Sequence, residues 1–283
     1  MMTVIVPKRK VIGRNVLKTL KWIFFGAVIL FLYFPILYIV IQSFNSSLTG
    51  HSFAGFTFKW YGEMFRDRNL MEAIRVTISM AIIATIVSVI IGTITAIGIN
   101  ALNKRRRQQM ILLNNVPVLN ADIVTGVFLM LTFQVVAAFL PGVTVFGYTT
   151  MLISHIFFCI PYIILSVIPK LNEIDSNMFD AALDLGCRPY EALWKVIIPT
   201  IKSGIITGAL IAFTMSIDDF VISYMTGGNG VMNFSMWLYT MKNPFANNAM
   251  QKASAYNTLI SVGTLLVLVI YNILKKAKKG QTK

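Results

Sequence analysis

With 56% hydrophobic and only 13% charged residues in a chain of 283, and a mean hydropathy of +0.71, this sequence is too apolar for a soluble domain. Its net charge of +14 calls for no nucleic acid, because the bases flank apolar runs where anionic lipid headgroups account for them. The two cysteines, Cys159 and Cys187, fall on different sides of the expected topology and in no metal-ligand spacing, which excludes a disulfide framework.

The first apolar run lies near 22–43. Basic residues precede it (Lys8, Arg9, Lys10, Arg14, Lys18, Lys21), as in a secretory signal, but it is long and has no small-residue cleavage site. It is expected to stay as an anchor. Further runs lie near 76–99, 110–139, 149–168, 203–226 and 253–274, each approaching or exceeding the roughly 20 residues that cross a hydrocarbon core of about 30 Å. They lack the two-residue alternation of a barrel, and lipid offers no water to backbone groups, so they are read as helices. The expectation is an all-α membrane protein with six transmembrane helices in one domain over 1–283.

Between these runs, residues 44–74 mix Phe53, Phe56, Phe58, Trp60 and Tyr61 with charges of both signs, and 228–252 carries Trp237 and Tyr239. Either stretch suits contact with a delivery protein or an interfacial aromatic belt. Basic residues concentrate at the N-terminus, at Lys104-Arg105-Arg106-Arg107, in the 170–202 loop (Lys170, Arg188, Lys195, Lys202) and in the tail (Lys275, Lys276, Lys278, Lys279). The opposite side holds Lys59, Arg66, Arg68, Arg75, Lys242 and Lys252. The positive-inside rule then places both termini and the 170–202 loop in the cytoplasm.

No metalloprotease helix, nucleophile elbow or clustered Cys/His/carboxylate set is present. The run Gly142-Val143-Thr144-Val145-Phe146-Gly147-Tyr148-Thr149 has the glycine spacing of a phosphate-binding loop, but Tyr148 stands where the lysine must be. It reads as a turn on the outer face. The chain is not expected to hydrolyse ATP or to bind a cofactor, so any ATP and Mg would belong to a separate subunit. His51 and His155 are isolated, and His155 is expected to pack between helices.

The loop 170–202 is expected to hold two short helices broken at Cys187-Arg188-Pro189, with 190–198 along the membrane face until Pro199 redirects the chain. In its first helix Asp180-Ala181-Ala182-Leu183-Asp184-Leu185-Gly186, small Ala181 and Ala182 permit close approach. Met178, Ala182 and Leu185 share a face, and Gly186 suits a helix end with positive φ. A sticky helix with no core of its own to meet is a docking element. It resembles the EAA loop of ABC-importer permeases (Glu-Ala-Ala, three residues, Gly, then a proline), with Asp180 in place of the Glu.

Acids inside the apolar runs bear on the substrate. Asp122 lies in the third run and the pair Asp218-Asp219 in the fifth, with no Lys or Arg inside any run to neutralise them. A carboxylate at mid-bilayer costs about 2.5–3.5 kcal/mol on insertion scales, so it lines a pathway or pairs with a partner. Asp122 is twelve residues into its run (122 − 110) and Asp218 fifteen (218 − 203), roughly 18 and 22 Å along two helices of the same direction. They would meet at similar depth. The cationic-substrate reading stands beside one in which Asp122, five residues after Pro117, caps a broken helix. Tyr224, just beyond, offers a cation–π face or an interfacial aromatic.

Four segments together are similar to the permeases of spermidine/putrescine importers. They are Thr214-Met215-Ser216-Ile217-Asp218-Asp219-Phe220-Val221-Ile222-Ser223 with Thr226-Gly227; Tyr33-x-Pro35-Ile36 leading to Ser43-Phe44-Asn45-Ser46-Ser47; Ser154-His155-Ile156-x-Phe158-Cys159-x-Pro161; and Asp180-x-x-x-Asp184-Leu185-Gly186. The resemblance covers about 25–270. It implies a type I, MetI-like permease fold in the cell membrane, a related second permease, two ATPases beneath, and an extracytoplasmic polyamine-binding protein. In that reading Asp122, Asp218, Asp219 and Tyr224 lie on the substrate pathway. Asp180, Ala181, Ala182, Leu185 and Gly186 meet the ATPase. The same architecture for another solute, such as an iron chelate or a thiamine-like cation, remains open. So does a secondary carrier, which would be expected to show repeated halves or broken helices.

Overall fold

The computed structural model describes residues 8–47, 52–139, 145–175, 177–228, 230–241 and 248–280. His51 and Gly142, Val143 and Thr144 of the glycine-spaced run lie outside them. The described residues form helices α1 (Lys8–Ser43), α2 (Lys59–Arg66), α3 (Arg68–Asn100), α4 (Lys104–Leu119), α5 (Asp122–Ala138), α6 (Tyr148–Asn172), α7 (Asn177–Asp184) and α8 (Pro189–Ala192). A π-helical turn (Leu193–Ile197) leads into α9 (Ile198–Asp218), followed by α10 (Val221–Thr226), α11 (Phe234–Tyr239) and α12 (Ala249–Gly280). Among the described residues four helices are long and apolar enough to cross a membrane, and the α4–α5 pair passes the same test together.

Two compact units divide the chain, one comprising the N-terminal residues through Asp67 with α12, the other Arg68–Met241. In the first, α1 and α2 pack on α12. The chain turns between α1 and α2 around Asn45, whose amide donates to Gln42 Oε1 (2.9 Å) and Ser52 O (2.8 Å) and accepts from the Ser47 and Ala54 N–H groups. Trp60 Nε1 donates to Asn45 O at 2.6 Å, which buries the indole with its one donor satisfied. Lys252, 9% exposed at its side chain, is matched by Asp67 at 2.5 Å, as a cation taken out of water requires.

The second unit is built on α3, α6 and α9. Lipid gives apolar helices no reason to associate through hydrophobicity alone, so close approach over small residues holds them together. Gly92 of α3 leaves so little room that an added Cβ would lie 2.7 Å from Ile163 Cβ of α6. Gly208 of α9 faces the same residue, with Ile163 Cα 3.1 Å from where its Cβ would be. Ser88 Oγ adds a bond to Ile156 O at 3.3 Å.

Two of the expected spans differ from straight helices. The 110–139 run bends by 99° between α4 and α5, because Asn120 and Ala121 take extended backbone three residues after Pro117. The 203–226 run ends as α9 at Asp218, and Asp219 is extended before α10 begins. In the opposite sense, Pro189–Asp218 is continuous where a separate helix and a redirection at Pro199 were expected. Proline lacks the N–H owed to the carbonyl four residues back, and its ring crowds that carbonyl. The wider π turn, with Ile198 N–H bonded to Leu193 O, absorbs both defects and keeps the helix intact.

Candidate functional site

At the break between α9 and α10 the chain itself supplies a cap. The Asp219 carboxylate accepts from the Ser223 N–H (2.8 Å), the Ser223 hydroxyl (2.7 Å) and the Ile222 N–H (3.3 Å). These are orphan donors of a helix start, which a carboxylate satisfies and whose partial positive charge it offsets. The capping residue is thus selected by the break: without an acceptor here, two backbone donors of α10 would be stranded in a dry interior.

Around this cap a buried polar network ties four elements. His155 of α6, 1% exposed, lies with Nδ1 2.6 Å from Ser216 Oγ of α9 and Nε2 2.9 Å from Ser223 Oγ of α10. Its Nε2 is 3.6 Å from Asp219 Oδ2. Asn233, the N-cap of α11, donates to Ser223 Oγ (2.9 Å) and Asp219 O (2.8 Å) and accepts from Met236 N–H (2.8 Å). Ser223 has one hydroxyl hydrogen, and an ionised carboxylate only accepts, so that hydrogen goes to Asp219. Ser223 Oγ then accepts from Asn233 and from His155, which assigns the imidazole hydrogen to Nε2. His155 packs between helices as the sequence suggested, but it is not isolated: it is the neighbour of Asp219.

Asp218 has no hydrogen-bond or ion-pair partner among the described residues. It is the exposed last residue of α9, while the extended Asp219 is turned to the α10 cap and its side chain is 7% exposed. A cavity of about 170 Å³ opens between α5, α6 and α9, and Asp122, Asp218 and Asp219 all line it with Phe158, Tyr162 and Thr125. None of its described lining residues is Lys or Arg. Asp122 is the first residue of α5, where its charge complements the helix start, and Ala121 rather than Asp122 occupies the cap position. Tyr224 does not share this cavity. It is 51% exposed, lies against Phe220 and Tyr239 with ring centroids 5.5 and 5.8 Å away, and lines a separate chamber.

The helix expected to dock is α7, and its end is a Schellman turn. Gly186 N–H bonds to Leu183 O (2.8 Å) and Cys187 N–H to Ala182 O (3.1 Å), with Gly186 at φ +86°. The shared face expected for Met178, Ala182 and Leu185 is not available as a unit. Ala182 is buried against this chain's own residues, whereas Leu185 is 87% exposed and Met178, Asp180 and Ala181 are exposed. The π turn and α8 pack on α7.

This fold is shared with solved ABC transporters. A bacterial ABC transporter involved in the import of the acidic polysaccharide alginate superposes at a TM-score of 0.68 and 17% identity, over 93% of this chain and 97% of that one. The MetNI methionine ABC transporter superposes at 0.56 and 16%, over 75% and 98%. At the level of sequence, the family described as the binding-protein-dependent transport system inner membrane component matches residues 110–280, and the chain belongs to it. It is an inner-membrane transport component, not a catalytic subunit. The putrescine transport system permease PotI of Escherichia coli K12 is 33% identical over 211 residues, 74% of this chain and 75% of PotI. The spermidine/putrescine permeases PotC of Escherichia coli K12 and Haemophilus influenzae are 28% and 29% identical, over 92% and 89% of this chain and 95% of each relative.

Proposed function

We propose that this chain is the permease subunit of an ATP-driven importer that carries polyamines inward by alternating access. The cavity carries the reading. Two carboxylates from different helices, Asp122 and Asp218, face one space beside the rings of Phe158 and Tyr162 with no base among the described lining residues. An ammonium losing its hydration needs such anionic partners, and a methylene chain needs the apolar wall. An anionic solute would be repelled there, so a fold shared with an alginate transporter does not predict the charge of the cargo. PotI and PotC, whose names specify putrescine and spermidine, support the same class. An iron chelate has no use for this charge, while a thiamine-like cation offers one positive group for two acids.

In this reading six spans cross the membrane with both termini in the cytoplasm. A related permease completes the pathway, a polyamine-binding protein delivers cargo from outside, and two ATPases carrying ATP and Mg meet the loop 170–202 through α7. Broken spans are expected of a secondary carrier too and do not separate the two readings; the match to the binding-protein-dependent transport family over residues 110–280 favours the importer. Uptake of radiolabelled spermidine by cells carrying Asp122→Asn or Asp218→Asn tests the proposal. Each change is expected to cut uptake at least tenfold with the complex still assembled. Normal import by both variants would show that the acids are structural and refute the cation-binding role.

A further inference from the structure

The longest run of like charge in the chain, Lys104-Arg105-Arg106-Arg107, is the first turn of α4. None of the four has an ion-pair partner among the described residues. No acid stands in that turn either, where the partial charge of a helix start is itself positive. The helix is held along α6. Arg107 donates to Asn172 Oδ1 at the last residue of α6, and Asn114 Nδ2 donates to Pro161 O (3.3 Å) near its middle. The basic end of α4 is therefore level with the end of a membrane-crossing helix, and the rest runs beside its apolar length. Elsewhere on its surface α4 borders an open groove of about 650 Å³, lined by Leu102, Arg106, Gln109, Met110, Leu112 and Leu113. The leucines and Met110 are exposed.

We propose that this groove holds one anionic phospholipid, with its phosphate on the Arg106 guanidinium and the Gln109 amide and an acyl chain along Leu112 and Leu113. The order of chemistry along α4 is that of a lipid. Arg106 stands at the boundary, and Leu113 lies about 10 Å further along the helix. That distance falls within the about 15 Å that half of a hydrocarbon core provides. A guanidinium fork meets phosphate oxygens in pairs, and a base without a protein partner favours a headgroup of net negative charge over a zwitterion. Lipid is the occupant because each molecule carries both parts, an anion and a chain, in the order the groove presents them. Met110 adds a flexible thioether that follows a mobile chain without fixing one pose.

The test places a fluorophore beside the groove in the assembled transporter, on Val116→Cys, an exposed position one turn beyond Leu112 and Leu113. Other accessible cysteines of the complex, Cys187 included, are replaced by Ser. In nanodiscs of phosphatidylcholine, quenching by phosphatidylglycerol with brominated chains is compared with quenching by brominated phosphatidylcholine. Phosphatidylglycerol is expected to reach half-maximal quenching at about fivefold lower mole fraction, the preference that one base near an anionic headgroup confers. Arg106→Gln is expected to bring the two curves together, while Arg105→Gln, outside the groove, keeps at least about a threefold preference. Coincident curves with Arg106 intact, or equal losses in the two Arg variants, would reduce the site to diffuse charge. Absence of quenching by either lipid would show that protein covers this face. Loss of the preference on adding inorganic phosphate at matched ionic strength would assign Arg106 to a free anion. Each of these results overturns the lipid site. Both leaflets carry the same lipids, so the outcome does not depend on the orientation proposed for the chain.

Discussion

Adjacent aspartates at the α9–α10 break are assigned opposite duties, and separating them is the sharpest test of the site. Replacing Asp219 by Ala removes three hydrogen bonds of 2.7–3.3 Å and strands the N–H groups of Ile222 and Ser223. A stranded buried donor costs about 1–3 kcal/mol in soluble proteins, and hydrogen bonds within membranes average nearer 0.6 kcal/mol. The Ser223 hydroxyl keeps the bonds it accepts from Asn233 and His155 but loses the acceptor of its own hydrogen. A loss of about 2–3 kcal/mol follows, a fall of roughly 5–10 °C in the thermal midpoint of a domain this size. Asp218, by contrast, has no hydrogen-bond or ion-pair partner among the described residues, so Asp218→Asn is expected to change stability by less than about 0.5 kcal/mol. Thermal unfolding of the purified complex in detergent, measured beside uptake, distinguishes them: Asp219→Ala melts early, Asp218→Asn melts normally and does not transport. Equal melting of Asp219→Ala and wild type would refute the capping argument, as would an equal drop in both variants.

Gly186 sits at φ +86° with nothing within 4 Å of an added Cβ, so Gly186→Val strains the backbone without a clash. Gly186→Val is expected to insert and fold in the membrane but to lose co-purification with its ATPase, whereas Gly186→Asn, which tolerates this conformation, retains it; unchanged co-purification of the Val variant would count against docking through α7. At the start of α8 the Arg188 N–H, then Lys195, hold the exposed Glu191 carboxyl below its usual range. A depressed folded value means the cap is present at neutral pH and lost as pH falls through it. Hydrogen exchange over 188–192 is therefore expected to be faster in Glu191→Gln than in wild type at neutral pH, with the difference closing in acid; a difference that persists in acid would exclude Glu191 ionisation as its cause.

Much of the architecture is written locally. Apolar runs of membrane-crossing length, bases flanking them, and a glycine where α7 ends are properties of contiguous residues, readable because lipid allows helices one way to satisfy their backbones. Three features were not local. The 99° bend after Pro117 and the survival of the helix through Pro199 look alike in sequence, a proline in an apolar run, and only a compensating π turn at Leu193–Ile197 separates them. Burial of Ala182, which splits the expected docking face, is set by tertiary packing around α7, on which the π turn and α8 lie. Above all, His155 is far from Asp219 along the chain, and their meeting through Ser223 requires α6, α9 and α10 to pack at one depth. Sequence alone therefore identified the acids, while tertiary structure decided which one is free. The helix ends between the two acids and the helix that follows needs its donors capped, so Asp219 is consumed by the fold and Asp218 is left to face the cavity.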